Sequence, residues 1–422
     1  MSQTGDSRAN AVSTTSAPLQ QALTGRRVLD LSDEKGVYCT KLFADMGADV
    51  IKIEPPGGAR ERWFPPFWKD EPGEDRSLFF LYMNTNKRGI TLDLFHPSGK
   101  ELFQRLTAEA DLIVDTSLPE TLDHLGLDYP TLQSRHPELV LTSITGFGQT
   151  GPHSHYQTSD LVSSAMGGSL HVVGEEADPP VSLAGSQAYV MASTTAAASS
   201  MIALLHASST GHGQHVDISI QESVLAVTSI AGVGKWLDDG IVPKRFGSAL
   251  FASVPSGAYP CRDGKIYLMI NRPLHWEALS QWIHEVTGNK EVLDPMFHGP
   301  SSKRQPYREL LDLFISELTQ QFSAEEFYRE GQRRHLAVSP INTAETVTRD
   351  AHLVARDFFV TPEDCDPDEG LTYPGAPYKL EKTPWRLRRS APRLGQHNAE
   401  IYCDELGLSL DELFEYQNMG VI

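Results

Sequence analysis

The chain has 422 residues, 40% hydrophobic and 22% charged, with a formal net charge of −19. That length exceeds what one hydrophobic core ordinarily organises and predicts a soluble globular protein of two domains. The acidic balance argues against nucleic acid as a partner, and the 4 scattered cysteines, with no CxxC pair, argue against a disulfide framework or a zinc site.

Residues 1–24 are rich in Ser, Thr, Ala and Gln and lack an apolar stretch, which predicts a disordered tail rather than a signal peptide. Arg27–Leu31 (RVLDL) reads as a strand, Val37–Met46 as a helix closed by Gly47, and Asp49–Ile53 (DVIKI) as a second strand. Strand, helix, strand in this order implies parallel pairing with a right-handed crossover. The pattern continues through strand Gly89–Leu92, helix Ser98–Glu109, strand Leu112–Val114, helix Tyr129–Arg135 and strand Leu139–Ile144. Such alternation predicts an open, doubly wound α/β sheet. The turn after the first strand reads Ser32-Asp33-Glu34-Lys35-Gly36 rather than GxGxxG, which disfavours a nicotinamide-binding domain and hence a dehydrogenase.

The stretch Ser186–Leu205 carries no charge, but six Ser or Thr stand among its alanines, so a buried helix over Ala188–Ser208 is preferred to a membrane span. His215–Ile220 (HVDISI) alternates as a strand, and Tyr259–Ile270 reads as a hairpin around Asp263-Gly264. Helical spacing follows at Trp276–Thr287, Tyr307–Thr319 and Ala324–Glu330. Arg356–Phe359, Gly375–Pro377 and Ala391–His397 return in an extended, proline-punctuated manner before a last amphipathic helix, Leu410–Tyr416.

Two features bear on chemistry by themselves. Lys87 and Arg88 stand together before a strand, where they could grip phosphate or simply line a solvated turn. His153, His155, His212 and His215 lie near loops and strand ends, but no Asp/Glu pattern completes a metal site, so they read as surface or packing histidines and no metal is expected.

Four blocks occur in order: Phe43–Gly58 (FADMGADVIKIEPPGG), Asn84–Leu94 (NTNKRGITLDL), Thr142–Pro152 (TSITGFGQTGP) and Thr210–Val224 (TGHGQHVDISIQESV). Together they resemble the family III CoA-transferases, which include formyl-CoA:oxalate and carnitine CoA-transferases and the related α-methylacyl-CoA racemases. The resemblance implies a Rossmann-like large domain carrying an inserted smaller α+β domain, with 25–225 as the first part of the large domain, 226–345 as the small one and 346–422 as the return. It also implies an interlocked homodimer, with a coenzyme A thioester as substrate and no permanently bound cofactor, while the scattered cysteines read most simply as reduced thiols in the cytoplasm. The implied reaction moves CoA from an acyl-CoA to a carboxylic acid. An acyl-CoA isomerase, racemase or lyase, and a relative that binds CoA esters without chemistry, stay open as alternatives.

The matched motifs imply CoA contacts at Lys87, Arg88, Leu92, Phe95, Thr116, Ser117, His124 and Gln157. His124 replaces the family's usual Arg, removing a permanent charge. Asp160 matches an acidic site position, while Ser159 stands where the racemases carry a catalytic His, which disfavours a racemase. The best-known transferases place a nucleophilic Asp at the head of the helix that begins near Ser186. Counting back from Thr210-Gly211-His212-Gly213-Gln214 puts Tyr189 there, and no acidic residue lies between Asp178 and Asp217. A phenol, with an ordinary pKa near 10, forms a stable ester rather than a reactive anhydride. Asp160, Gln187 and Tyr189 are therefore the candidate catalytic residues, with Asp160 the carboxylate available within the motifs.

Overall fold

The computed structural model describes residues 20–250, 253–365 and 371–422; the expected tail falls largely outside them. Six strands form one parallel sheet: β1 Arg27–Leu31, β2 Asp49–Glu54, β3 Arg88–Thr91, β4 Leu112–Asp115, β5 Val140–Thr145 and β6 His215–Ser219. Their spatial order is β3-β2-β1-β4-β5-β6, so the chain reverses direction of growth between β1 and β4. Apolar residues stand at consecutive positions in β1, β2, β4 and β5 (Val28-Leu29, Val50-Ile51, Leu112–Val114, Val140-Leu141), as expected where helices cover both faces of a parallel sheet, whereas β6 alternates. Every residue of β4 and β5 is buried.

The described backbone divides into two compact units. The first holds the described residues through Gln157 together with Tyr189–Ile220 and Phe358–Ile422; the second holds Thr158–Ala188 and Gln221–Asp357. Thr158–Ala188 thus joins the second unit, whereas the sequence had suggested a boundary near 226. The C-terminal return closes the exposed edge of β3. The Thr91 N–H donates to Asn398 Oδ1 at 2.9 Å, Tyr402 Oη donates to the Thr91 carbonyl at 2.8 Å, and the His397 N–H donates to the Gly89 carbonyl at 2.9 Å. Covering an edge in this way satisfies backbone groups that would otherwise invite another strand. Tyr402, Ile401, Val421 and Ile422 are buried in the same core as Leu29, Ile51 and Ile113.

The helix Gln187–Thr210 is long and apolar enough, by length and composition, to cross a membrane. Its Tyr189, Ala192, Ser193, Ala196, Ser200, Ala203 and Ala207 are nevertheless buried at helical spacing. Ser200 and Thr142 on β5 share a hydroxyl–hydroxyl hydrogen bond of 2.7 Å, and Ser193 donates to the Lys35 carbonyl at 3.1 Å. Of the hydroxyls that weakened the membrane reading, Ser200 thus bonds the sheet and Ser193 the turn after β1, while Thr194 and Thr195 donate to the helix's own Val190 and Met191 carbonyls. Ile202 and Leu205, on the opposite side, are 69% and 71% exposed.

In the second unit, β7 Ser256–Pro260 and β8 Lys265–Met269 form the expected hairpin, and β9 Ala337–Pro340 adds a third antiparallel strand. Helices Pro273–Thr287, Arg308–Thr319 and Ala324–Arg333 supply Trp276, Trp282, Ile315, Leu318 and Phe327 to its core. Several helical stretches had no counterpart in the sequence reading, among them the short Thr121–Leu125, Ala344–Thr348 and Ala351–Ala355. Leu78–Met83 is a single turn and a half capped by Ser77, and Ile220 begins a helical run that ends at Asp239. The strand expected through Ile220 stops at Ser219 because the same residues open that run.

Two glycines explain why the blocks recur as they do. Gly148 has φ +84°, and the turn it permits lets the Gln149 N–H donate to the Asp217 carboxylate at 3.1 Å. Gly213 passes so close to β5 that a Cβ there would stand 1.9 Å from the Leu139 carbonyl oxygen. The glycine-rich turn and the Thr210–Gln214 motif therefore seat β6 beside β5.

Candidate active site

In an open parallel sheet, ligands sit beyond the carboxyl ends of the strands where the strand order reverses, here between β1 and β4. The turn Ser32–Gly36 and the pair Thr116–Ser117 bound that crevice. Thr116 is buried; its hydroxyl accepts the Asp33 N–H and donates to Asp33 Oδ1, both at 2.9 Å. Ser117 Oγ donates to Asp115 Oδ2 at 2.7 Å, while burial raises the Asp115 pKa. Both hydroxyls expected to contact CoA are thus bound to acids of this chain.

Lys87 and Arg88 are placed differently from the expectation of a phosphate grip. Lys87 is fully buried, with Nζ at 2.9 Å from Asp30 Oδ2, 2.8 Å from Thr40 Oγ1 and 2.9 Å from Asn84 Oδ1. Burial pushes its pKa down to about 8 despite the opposing attraction of Asp30. Burial works equally against the Asp30 charge, but Lys52, Lys87 and the Ser32 hydroxyl outweigh it and bring that carboxyl down to about 2. Arg88 pairs with Asp49, Glu400 and Glu405, tying β3 to β2 and to the C-terminal return. The two cations therefore knit the sheet from within. A run such as Asn-Lys-Arg before a buried strand signals cations facing a core as readily as a ligand, and only the buried Asp30 distinguishes the two.

Leu92 is likewise in the core at 2% exposure, whereas Phe95 just beyond it is 74% exposed. His124 lies exposed on the short helix Thr121–Leu125, and Gln157 is exposed ahead of the next helix. Of the eight expected CoA positions, Phe95, His124 and Gln157 are open to solvent and Ser117 is partly so.

The helix Asp160–Met166 is capped by Ser159, whose hydroxyl accepts the Val162 N–H at 3.2 Å. Ser159 rather than Asp160 is the N-cap, which frees the Asp160 carboxylate for another task. Asp160 Oδ1 accepts the Ala188 N–H at 2.8 Å, one of the donors at the start of Gln187–Thr210. Gln187 Nε2 donates to the Ala184 carbonyl at 2.9 Å, and Tyr189 follows as the third residue of the helix, 7% exposed. The carboxylate motif and the helix head are thus brought together, with Asp160 one residue from the position the sequence comparison assigned to Tyr189.

Sequence reasoning missed the charged layer beneath the crevice. Arg62 is fully buried and grips Glu54 with Nε at 2.7 Å and Nη2 at 2.8 Å, a bidentate fork. Lys52 donates to the Ser32 carbonyl. Glu61 is 2% exposed; burial raises its pKa although Lys52 opposes this, and its Oε1 has no hydrogen-bond partner. A second grouping lies under the helix Tyr129–Arg135. There Ser143 Oγ and His215 Nε2 are 2.9 Å apart, His215 stacks on Tyr129, and a cavity of about 350 Å³ is lined by these residues with Asp115, Asp123 and Asp128. Burial lowers the His215 pKa. Among the described residues no group of three or more His, Cys, Asp or Glu could hold a metal ion.

Comparison with known proteins names this architecture. The sequence profile of CoA-transferase family III matches residues 23–398. Succinyl-CoA:(R)-benzylsuccinate CoA-transferase subunit BbsE of Thauera aromatica is 36% identical over 407 residues, covering 94% of this chain and 97% of that one. Succinyl-CoA–D-citramalate CoA-transferase of Chloroflexus aurantiacus is 33% identical over 94% of this chain and 97% of its own length. A formyl-CoA:oxalate CoA-transferase of Streptomyces avermitilis is 31% identical over 96% of this chain and the whole of its own. A solved CAIB/BAIF family protein from Brucella suis superposes with a TM-score of 0.80 at 28% identity, over 91% of this chain and 99% of that one. The chain belongs to CoA-transferase family III. Its activity is CoA transfer, and its substrates are CoA thioesters.

Proposed function

We propose that this chain is one subunit of a dimeric family III CoA-transferase that takes CoA from succinyl-CoA and delivers it to a dicarboxylic acid of the substituted-succinate type. Relatives named for succinyl-CoA with benzylsuccinate and with citramalate support the donor and the acceptor class. A transferase of this kind needs a carboxylate that attacks the thioester carbonyl, expelling CoA thiolate and leaving a mixed anhydride. The thiolate returns to the enzyme's carbonyl, releasing the donor acid. The acceptor carboxylate then attacks the enzyme thioester, expelling CoA thiolate and forming a second mixed anhydride, and the thiolate attacks the acceptor's carbonyl to give the new CoA thioester and free the enzyme carboxylate. The observation that carries the reading is the helix head itself, where Tyr189 stands and no Asp or Glu occurs from Pro179 to Val216. The benzylsuccinate enzyme's chain is named a subunit, and we assign the nucleophilic carboxylate here to a second, related chain. The exposed Ile202 and Leu205 on the same helix are surface that such a partner would cover. The cytoplasm, where thiols stay reduced and CoA esters are available, is the proposed location.

The second reading keeps the enzyme a homodimer with Asp160 as the reacting carboxylate, favoured by its 2.8 Å bond at the helix head. One experiment separates the two. The tagged chain, purified alone from a foreign host and as the complex from its own cells, is incubated with succinyl-CoA and a panel of dicarboxylic acids. New thioesters are then sought by mass spectrometry. The two-subunit reading expects product from the complex only; product from the isolated chain at comparable rate overturns it and favours Asp160.

A further inference from the structure

We infer that the second unit holds a small monovalent anion, a halide such as chloride, against Arg304 and Trp276. The residues concerned all lie inside that unit, so the site stands whichever chain carries the reacting carboxylate.

Arg304 belongs to the helical turn Ser301–Tyr307 and is fully buried, at 0% exposure. Its Nε donates to the Val254 carbonyl at 2.6 Å, and Nη1 donates to the carbonyls of Phe297 at 3.0 Å and Gly299 at 3.2 Å. Nη2 has no hydrogen-bond partner. Other deeply buried cations of the chain meet a carboxylate: Arg62 meets Glu54, Lys41 meets Asp45, and Lys52 and Lys87 both meet Asp30. Arg304 meets none among the described residues, and burial, with no acid opposing it, pushes its pKa down to about 10.

Trp276 lies beside it. The helix Pro273–Thr287 carries this indole into the core, where Phe297 packs edge-on at 6.0 Å between ring centroids. Arg304 Cζ is 4.9 Å from the Trp276 ring centroid, the indole is 1% exposed, and its Nε1 likewise has no partner. A cation over an aromatic face is favourable, but the ring leaves the positive charge in place.

Arg and Trp side chains only donate, so this corner offers unused N–H groups and a charge with no acid to receive them. Buried polar groups and charges in folded proteins find a partner in protein, water or an ion. A water accepts the N–H groups but leaves the charge unmatched and brings two hydrogens of its own. A monovalent anion accepts the N–H groups, brings no hydrogen and cancels the charge. His275 Nδ1 is the other buried side-chain atom of this unit without a partner among the described residues. Burial and Arg272 lower its pKa, so it supplies no counter-charge. The size of the ion follows from the seal. With guanidinium and indole both closed to solvent, a phosphate ester or a dicarboxylate has no approach, whereas a halide enters through local opening of the unit.

The test uses the enzyme as purified from its own cells, in sodium chloride exchanged for sodium gluconate at constant ionic strength. Hydrogen exchange is followed in peptides spanning Val254, Trp276 and Phe297–Arg304. For a site half filled at about 10 mM, raising chloride from about 1 to about 100 mM should increase their protection about tenfold. Peptides of the parallel sheet should not change. Crystals grown in sodium bromide should show an anomalous peak within hydrogen-bonding distance of Arg304 Nη2. Trp276→Phe removes one donor and keeps an aromatic ring, and should raise the chloride midpoint about tenfold. Arg304→Met should abolish the chloride dependence; if it does not fold, the bromide peak and Trp276→Phe decide. Protection indifferent to chloride overturns the inference. So does density beside Nη2 with no bromide signal, an ordered water only, or a bromide peak without chloride-dependent protection, an adventitious ion only.

Discussion

Replacing Lys87 by Met tests whether this lysine is a strut or a ligand. Its ammonium sits at zero exposure, 2.9 Å from Asp30 Oδ2, and also donates to Thr40 and Asn84. Methionine fits the volume and removes the charge, leaving Asp30 with the Ser32 and Thr40 hydroxyls and with Lys52 Nζ at 3.9 Å. Stranding one member of a buried ion pair costs about 3–5 kcal/mol. At about 2–4 °C per kcal/mol for a unit of this size, melting should fall by about 10 °C. The assay is thermal unfolding followed by circular dichroism, for K87M and for the double variant with Asp30→Asn. The double variant should recover part of the loss, since the uncompensated charge goes too. A K87M protein that melts within about 1 °C of the parent while its complex loses turnover would refute the structural assignment and return Lys87 to the substrate.

The other expectations concern acid, backbone fit and the motif carboxylate. Asp30 has a folded pKa of about 2, below the ordinary 3.8, so its stabilisation is complete above about pH 4 and is lost as pH falls through 2; acid unfolding of Asp30→Asn should show a shallower slope in that window. Gly213→Ala puts a Cβ where 1.9 Å separates it from the Leu139 carbonyl. It should destabilise the β5–β6 junction by several kcal/mol, about 3 or more, read as loss of soluble protein or a lower urea midpoint, while Gly264→Ala, with nothing within 4 Å, should not. Asp160→Asn keeps an oxygen for the Ala188 N–H, so the complex should lose less than about tenfold in turnover; a loss of about a thousandfold, the scale of a missing chemical group, would make Asp160 the nucleophile.

Much of the large unit was legible in the chain. Short strands with adjacent Val, Ile and Leu, alternating with helical spacing, point to a parallel sheet covered on both faces, and β1 through β6 fall where those strands were read. The hydroxyl-rich helix was legible as a core helix because small residues and Ser or Thr at helical spacing let it approach β5 closely. Ile220–Asp239 was not, since its first residues continue the strand's apolar pattern and only the end of β5–β6 pairing at Ser219 marks the change.

For the site, the sequence by itself settled composition: which residues stand in the family's blocks, and that the helix head carries Tyr189 with no acid for many residues on either side. Tertiary structure decided direction and partnership. Lys87 and Arg88 look like phosphate ligands until Asp30, 57 residues earlier, and Glu400, 312 residues later, are brought beside them. Ion pairing at such separations leaves no local pattern, because a charge seeks whatever opposite charge shares its low-dielectric surroundings, and those surroundings exist only once the sheet is assembled.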